Sequence, residues 1–444
     1  TPQIRKYTGL ARQSDSIPHE LYKEHNVMRG LRDLDGNGVI TGLTSISEVH
    51  AKDVIDGKRV PCPGELYYRG YNVKDLIHGA FGEDRFVFEE AAYLLLNGEL
   101  PTKPELDAFV AELASRRTLP QNFTRDVIMK APTKDVMVNL AKSVLALYSY
   151  DAKATDLSLD NVMRQCLNLI ALFPRLVIHS YHAYRYTLGD SLYIHQPKPE
   201  LSTAENILHM LRADMSYTPF EAATLDMALL LHMEHGGGNN STFTTRVVTS
   251  SGSDTYSTIA AAIGSLKGPK HGGANIKVME MFEDIRNHVD DWEDEDEVTA
   301  YLEKILAGEV FDHAGLIYGI GHAIYSVSDP RAEIFREYVG RLAEEKGRQE
   351  EYRLYELVAR KAPEIISGKR KMYKGVNTNV DFYSGFVYNM LGLPEELYTP
   401  FFAVARIVGW SAHRLEELVS AEKIIRPAYI EVSPHRDYTA LSDR

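Results

Sequence analysis

Most of the chain after Tyr71 carries apolar residues at the spacing of an α-helix. In these stretches the apolar positions recur three and four residues apart, which places them on one face of a helix. The stretch 220–235 is apolar on most of its faces, as is typical of a fully buried helix. The Ser-, Thr- and Gly-rich stretch 241–257 is assigned no helix. The pattern predicts helices over 86–96, from 101 onwards, and over 134–148, 157–188, 220–235, 258–266, 276–288, 331–346, 382–391 and 395–418.

Several of these helices are bounded by residues that favour helix ends. Gly98 predicts a C-terminal cap, because glycine readily adopts the left-handed conformation found there. Thr218 before Pro219 and Asp329 before Pro330 predict N-terminal caps with a proline in the first turn. These signals support the helix boundaries that the apolar periodicity indicates.

The N-terminal part of the chain is more polar and predicts a few short strands. Residues 1–30 indicate a helix and a loop, and strands are expected over 39–45 and 65–68. Residues 33–38 begin like a calcium-binding loop, but its twelfth position, which requires a bidentate Glu, is Thr44. Turns formed by Asp and Asn side chains explain this segment better than a calcium site does.

The order of the predicted elements indicates an all-α protein. The chain contains no alternation of strands and helices, no internal repeat and neither of the two common glycine-rich nucleotide-binding motifs. We therefore expect a helical fold with a few short N-terminal strands.

The composition excludes several classes of protein. The 444 residues are 44% hydrophobic and 25% charged, which is an ordinary globular composition. The net charge of −13 argues against a nucleic-acid surface, and no apolar stretch approaches the length of a membrane span. Cys62 and Cys166 are the only cysteines, so neither a disulfide framework nor a four-ligand zinc site is expected. These features predict a soluble protein of the cytoplasm, with a processed mitochondrial matrix form as the alternative.

His271 is the first candidate for catalysis, and it lies in a Gly-rich segment just before a predicted helix. A helix N-terminus disfavours positive charge and so lowers the pKa of a nearby imidazole. The resulting neutral imidazole can donate a hydrogen bond to a developing enolate oxygen. The alternative is a histidine that only forms part of a turn.

His322 lies in a similar Gly-rich setting, after Gly319 and Gly321, where the main chain and a ligand can approach closely. Arg331 follows in the first turn of a helix, a position that is unfavourable for a cation unless an anion binds there too. An anionic ligand beside these residues is one interpretation, and a solvent-facing arginine is the other.

His232 and His235 are three residues apart on one predicted helix, so a metal pair must be considered. No carboxylate follows at the spacing of a helical zinc site, and the helix is otherwise apolar. A core position with satisfied hydrogen bonds is the better interpretation of His232. The glycines and polar residues after His235 predict an anion-binding loop.

Asp381 and two arginines complete the set of candidate residues. Asp381 lies between Val380 and Phe382, where an apolar environment would raise its pKa towards that of a general base. The alternative is a helix-capping aspartate. Arg406 and Arg426 lie in apolar segments, where an unpaired cation is costly. Arginines and histidines in this combination indicate a site for a dicarboxylate.

Taken in order along the chain, these segments resemble the citrate synthase family. The resemblance extends from residues 66–71 to the Arg426 segment, through 268–275, 319–331 and 379–385. It implies a two-domain all-α fold, with a large domain formed by 1–273 and 387–444 and a small domain formed by 274–386. The loop after His235 is one residue longer here than the family usually has.

The resemblance also implies an activity, which is a step of the tricarboxylic acid cycle. Acetyl-CoA would condense with oxaloacetate and water to give citrate and CoA through an enol or enolate and citryl-CoA. CoA would be a cosubstrate, and no metal or bound cofactor would be needed. The enzyme would be a homodimer that closes one domain over the other, with candidate hinges near Gly272 and Gly273 and near Ser384 and Gly385.

The family's functional residues transfer onto matching positions of this chain. Asp381 would remove a methyl proton, His271 would hold the enolate oxygen, and His322 would polarise the oxaloacetate carbonyl. The oxaloacetate-binding residues would be His235, His322, Arg331, Arg406 and, from the partner subunit, the partner's Arg426. The CoA-binding residues would be Leu316, Gly319, Gly321 and Lys374.

Three alternatives remain open at this point. The first is a 2-methylcitrate synthase that uses propionyl-CoA on the same residues, because one methylene group changes transition-state binding by only ~1–3 kcal/mol. The second is a metal-dependent hydrolase built on the histidines. The third is a non-catalytic helical paralogue that binds CoA or another partner.

Overall fold

The protein is predominantly helical, as the sequence predicts. A computed structural model describes residues 1–33, 37–322, 324–369, 375–421 and 423–444. Within these residues the helices, in chain order, are α1 (Pro2–Ser14), α2 (His19–Glu24), α3 (Val73–Gly82), α4 (Phe88–Asn97), α5 (Lys103–Ser115), α6 (Val136–Leu147), α7 (Leu159–Thr187), α8 (Thr203–Leu211), α9 (Pro219–Met233), α10 (Asn240–Ser250), α11 (Thr255–Leu266), α12 (Ala274–His288), α13 (Glu295–Ala307), α14 (Pro330–Glu345), α15 (Gln349–Lys369), α16 (Val380–Met390) and α17 (Tyr398–Ser420).

One small antiparallel sheet accompanies the helices in the described residues. Strands β1 (Ser47–Ile55), β2 (Lys58–Tyr68) and β3 (Tyr71–Asn72) lie in that order, and β1 pairs with β2 from Ser47↔Tyr68 to Ile55↔Lys58. Asp56 and Gly57 form the turn, both with positive φ, which is the conformation that an Asp-Gly hairpin turn requires. The predicted strand over 65–68 is confirmed as the end of β2.

The strand predicted over 39–45 is wrong, because this segment forms no ladder. Its end is held instead by a side chain of α17. Glu416 accepts hydrogen bonds from the Thr44 hydroxyl at 2.7 Å and from the Ser45 main-chain amide at 2.7 Å. The calcium-like segment extends over residues 34–36, which lie outside the described residues.

The predicted helix ends are confirmed in detail. Gly98 ends α4 with φ of 95°, a left-handed conformation that suits glycine. Thr218 caps α9 in a reciprocal arrangement with Glu221, in which each residue accepts a hydrogen bond from the other's main chain. Asp329 caps α14 by accepting from the Arg331 amide at 3.0 Å.

The Ser/Thr-rich stretch after residue 240, to which the sequence assigned no helix, forms helix α10. Its buried face consists of Ser241, Thr242, Thr245 and Thr249 and packs against α11 and α17. The Thr245 hydroxyl donates to the Ser241 carbonyl one turn earlier, at 3.0 Å. Tertiary packing and these internal hydrogen bonds outweigh the weak helix propensity of Ser and Thr.

The core is organised around α7 and α17. Almost every residue of α17 from Tyr398 to Arg414 is buried, and α17 packs against α4, α7, α9 and α10. A second group of helices, α12 to α16, packs mainly within itself and contacts the first group through α9 and β2. In the described part of the chain, no helix combines the length and the apolar character needed to cross a membrane.

Candidate active site

Loops beside three helices bring the predicted histidines together. His235 follows α9, His271 precedes α12, and His322 lies in the loop before α14. All three line one cavity of about 860 Å³. The His235 and His322 rings are nearly perpendicular, with centroids 5.4 Å apart.

A short main-chain bridge places the His322 loop beside the start of α16. Ile320 and Thr378 form an isolated antiparallel bridge. The Gly321 amide donates to the Asn377 carbonyl at 2.7 Å, and the Asn379 amide donates to the Gly319 carbonyl at 2.9 Å. Residues 319–322 and 377–381 are therefore held next to each other, which brings Asp381 to the His322 side of the site.

Gly319 is required at this bridge for two reasons. Its φ is +78°, a region that other residues adopt with strain. A Cβ atom there would also lie 2.9 Å from the Phe382 ring and from a Val278 methyl group.

His271 is held as a neutral imidazole with a defined tautomer. The main-chain amide of Ser241, in the first turn of α10, donates to Nε2 of His271 at 3.4 Å. Since Nε2 is the acceptor, the proton lies on Nδ1. Burial, followed by the positive charge of Arg406, lowers the pKa of His271 to about 4. The sequence predicts this neutral state, but burial and Arg406 are the main causes rather than the start of α12.

The Ser241 side chain adds to the support of His271 and was missed in the sequence. Its hydroxyl lies 3.1 Å from Nε2 of His271 and accepts a hydrogen bond from the Trp410 indole at 3.2 Å. The segment around Ser241 was visible only as a polar loop after His235. The signal that identifies it is spatial, because the first turn of α10 meets the segment before α12 at His271.

His322 has the opposite tautomer. Its Nδ1 accepts from the Ile324 and Tyr325 amides, each at 3.1 Å, so the proton lies on Nε2. Burial and the charge of Arg331 lower the pKa of His322 to about 4. Nη2 of Arg331 lies 3.4 Å from Nε2. Two donors that face each other at this distance present a site for an acceptor oxygen.

Arg331 is buried, with 4% of its surface exposed, so the solvent-facing interpretation is wrong. Its guanidinium forms an ion pair with the equally buried Asp329, at 2.7 Å for Nη2 and 3.0 Å for Nε. An arginine in the first turn of a helix is expected to have an anion beside it, and Asp329 is that anion at the start of α14. The Asp329 carboxylate raises the pKa of Arg331. Sequence reasoning recognised Asp329 as a cap but missed this second contact.

Arg406 is the least satisfied cation of the site. It is 2% exposed, and its Nε donates to the His232 carbonyl at 2.6 Å. Its Nη1 and the nearby Nε2 of His235 are buried atoms without a hydrogen-bond partner in the described residues. Burial lowers the pKa of Arg406, although Glu234 opposes this effect. Unpaired buried polar atoms are costly, and an anionic oxygen would satisfy them.

Glu234 and His413 form a buried pair behind His235 that the sequence did not indicate. Nε2 of His413 lies 3.0 Å from the Glu234 carboxylate, and both side chains are fully buried. This contact, the charge of Arg406 and the Ser47 hydroxyl outweigh burial and lower the pKa of Glu234 to about 2. Glu234 is therefore a fixed negative charge beside Arg406.

Asp381 lies in the first turn of α16 but does not cap it. Asn379 is the cap and accepts from the Asp381 amide at 2.9 Å, so the capping interpretation of Asp381 is wrong. Burial raises the pKa of Asp381 to about 6, against the opposing charge of Arg331. The cavity lining includes the three histidines but not Asp381.

Two further predicted residues, Arg426 and Leu316, do not line this cavity. Arg426 is exposed in the segment after α17, where the neighbouring Ile425 amide donates to Ser250 at 3.0 Å. No described contact joins Arg426 to the histidines of its own chain. Leu316 is 44% exposed, and Lys374 lies outside the described residues.

His232 is a core residue, but its hydrogen bonds are not satisfied as the sequence suggested. Its ring stacks on Phe402 with centroids 3.6 Å apart, and both ring nitrogens lack a partner in the described residues. Burial holds its pKa well below the ordinary value. His232, His235, His271 and His322 do not form a cluster of converging metal ligands, so their geometry does not support the hydrolase alternative.

Comparisons with known proteins agree with this arrangement. The family model described as "Citrate synthase, C-terminal domain" matches residues 33–428. Citrate synthase from Synechocystis sp. is 35% identical over 86% of this chain and 88% of its own length. The 2-methylcitrate synthase of Shewanella oneidensis is 33% identical over 84% of this chain and 90% of its own length.

A solved structure shows the same fold. It is the ternary complex of citrate synthase from Thermoplasma acidophilum with carboxymethyl coenzyme A and oxaloacetate. The TM-score is 0.76 at 26% identity, covering 94% of this chain and 99% of the other. Together with the family match over most of the sequence, these similarities show that the chain belongs to the citrate synthase family of condensing enzymes.

Proposed function

We propose that this enzyme condenses acetyl-CoA with oxaloacetate and hydrolyses the resulting citryl-CoA to citrate and CoA. One observation carries the proposal. Two partly buried, neutral imidazoles with opposite tautomers, His271 and His322, share a cavity beside buried arginines, and a carboxyl group with a raised pKa lies on the His322 side. This combination suits proton removal from a carbon acid next to an anionic electrophile.

The first step assigns acid and base roles to Asp381 and His271. A carboxylate alone is a weak base for a thioester methyl group, so the enolate oxygen needs a donor in a site that excludes water. In the proposal Asp381 takes the methyl proton, and Nδ1–H of His271 donates to the thioester oxygen. The raised pKa of Asp381 makes it a stronger base than an ordinary carboxylate.

The second step assigns the electrophile to His322 and the arginines. Nε2–H of His322 would donate to the ketone oxygen of oxaloacetate and protonate it as the carbon–carbon bond forms. The carboxylates of oxaloacetate would bind between Arg331, Arg406 and His235. Nη1 of Arg406 and Nε2 of His235 are the unpartnered atoms that need acceptors. The partner's Arg426 completes the set in the proposed homodimer.

Domain closure would bring Asp381 to the cavity that the histidines line. The proposed small domain, 274–386, carries His322, Arg331 and Asp381, and the proposed large domain, 1–273 with 387–444, carries His235, His271 and Arg406. Gly272 and Gly273 lie at the junction and form the proposed hinge. Closure after oxaloacetate binds would exclude water and limit hydrolysis of the thioester.

CoA is proposed as a cosubstrate rather than a resident cofactor. Its adenine end is assigned to the Leu316, Gly319 and Gly321 segment, and Lys374 is assigned a separate contact with CoA. Free cysteines, the acidic net charge and the absence of a span-length helix in the described chain support a cytoplasmic enzyme that works on small molecules without nucleic-acid or membrane partners.

The second candidate is 2-methylcitrate synthesis from propionyl-CoA, and the Shewanella oneidensis relative is the observation that favours it. The deciding experiment measures CoA release with oxaloacetate and a panel of acetyl-, propionyl- and butyryl-CoA. We expect the highest kcat/KM with acetyl-CoA. A higher value with propionyl-CoA would assign the second activity, and no turnover of any acyl-CoA would leave a non-catalytic paralogue.

A further inference from the structure

The β1–β2 hairpin carries a group of side chains that the condensation does not use. His50 and Asp53 lie on β1 and Cys62 lies on β2. One potential ligand atom from each of the three residues lies within 4.8 Å of the other two. Imidazole, carboxylate and thiolate are the three side-chain donors that proteins use for zinc.

An irregularity in the hairpin creates this convergence. In a regular strand, residues three apart point to opposite faces, so His50 and Asp53 could not share a ligand. The register shifts between His50 and Lys52, where the pairing changes from Glu65 to Pro61. As a result Nε2 of His50 lies 3.0 Å from Oδ1 of Asp53. Bulges of this kind often redirect a side chain at a functional position.

The other ring nitrogen of His50 has the partner expected of a metal ligand. Its Nδ1 lies 3.4 Å from the Glu48 carboxylate. Metal-binding histidines commonly donate their second N–H to a carboxylate, which fixes the ring and strengthens the ligand nitrogen. Glu48 occupies that position here, while Nε2 lies 3.0 Å from Asp53.

Cys62 is held in place and lies in a negative environment. Pro61 and Pro63 flank it, and their rings restrict the main chain on both sides. Its thiol interacts with Asp53, and burial together with the charges of Asp53 and Glu65 raises its pKa. A divalent cation would neutralise these charges, with the thiol proton released to solvent.

We propose that His50, Asp53 and Cys62 bind one divalent cation of the zinc class, with Glu48 orienting His50. The set contains one sulfur, one nitrogen and one oxygen donor, which favours zinc over the hard cations calcium and magnesium. Three protein ligands leave one tetrahedral position for water. His50 also lines the cavity of His235, His271 and His322, so the cation would lie at the wall of the active site.

Zinc titration of the metal-free full-length enzyme tests the proposal, with binding followed by calorimetry and equilibrium dialysis. We expect one zinc ion per chain, loss of binding in Cys62→Ser and His50→Gln, and about tenfold weaker binding in Glu48→Ala. His78→Gln is the matched control, since His78 also pairs with an exposed carboxylate, Glu337 at 2.9 Å, and should bind zinc normally.

Cobalt provides a readout that identifies the thiolate directly. The Co²⁺-loaded enzyme should show a sulfur-to-cobalt charge-transfer band that Cys62→Ser lacks and Cys166→Ala retains, because Cys166 is fully buried. No zinc binding by the wild-type enzyme, or equal binding by the Cys62 and His50 variants, would overturn the proposal. Neither result depends on whether the enzyme condenses acetyl-CoA.

Discussion

The main-chain amide of Ser241 donates to Nε2 of His271 across 3.4 Å, and this contact determines which nitrogen of the imidazole carries the proton. The amide belongs to the first turn of α10, where N–H groups have no partner within the helix. Two segments that are thirty residues apart therefore cooperate to present Nδ1–H of His271 as a donor. The predictions below follow from this arrangement and from its counterpart at His322.

The pH dependence of kcat/KM should report the ionisation of Asp381. The proposed base acts only as the carboxylate, so activity should be lost as the pH falls through about 6. His271 and His322 have pKa values of about 4, so they remain neutral over that range. The measurement is the rate of CoA release between pH 3.5 and 8. An acid limb centred near 4 would contradict the assignment.

Ser241→Ala tests the support of His271. The substitution removes the hydroxyl that lies 3.1 Å from Nε2 but keeps the main-chain donor, so the tautomer is retained. We expect kcat to fall by about tenfold, the effect of about one lost hydrogen bond, with little change in the KM for oxaloacetate. Thr244→Ala, on the more exposed side of α10, is the control and should keep the wild-type kcat. Equal activities of the two variants would remove Ser241 from the account.

Arg406→Gln should weaken the binding of oxaloacetate. Charge-assisted hydrogen bonds contribute about 1.5–3 kcal/mol, so we expect the KM for oxaloacetate to rise by about 10- to 100-fold. Arg406→Lys keeps the charge and should lose less. The rise in Tm that oxaloacetate produces gives a second readout, which should shrink in Arg406→Gln. An unchanged KM in a folded variant would show that Arg406 only fills the core.

Mixed dimers test whether Arg426 acts in the neighbouring subunit. Arg426→Ala and Asp381→Asn should each lose most activity when pure. In a hybrid of the two, one site receives an intact Asp381 from its own chain and an intact Arg426 from the other. Random exchange makes about half of the dimers hybrids, and each hybrid has one intact site of its two. The mixture should therefore recover about a quarter of the wild-type activity. No recovery despite subunit exchange would show that Arg426 does not complete the neighbouring site.

The sequence predicted the helices of the core because burial imposes apolar periodicity on them. Leu159–Thr187 and Pro219–Met233 lie within a few residues of their predicted bounds, and the caps at Thr218 and Asp329 are present. Local sequence determines these helix bounds and caps, so they can be predicted without knowledge of the tertiary structure.

The missed features depend on contacts between distant segments. Helix α10 is stabilised by burial of a face made of hydroxyl-bearing residues, which composition alone describes as a loop. The segment ending at Ser45 does not form its predicted strand. Its main-chain amide at Ser45 instead donates to the carboxylate of Glu416, more than 300 residues away in sequence. Asp329 was predicted as a cap, but its pairing with Arg331 and the support of His271 by Ser241 require three-dimensional proximity.

Asp381→Asn tests the central claim most directly. The amide cannot accept the methyl proton, while its size and its place in the first turn of α16 are retained. Asp160→Asn is the matched control, because Asp160 occupies the same position in the first turn of α7 and is exposed. The measurement is kcat for CoA release from acetyl-CoA and oxaloacetate. We expect a loss of about a hundredfold or more in Asp381→Asn and none in the control; a near wild-type kcat in a folded Asp381→Asn enzyme would contradict the account.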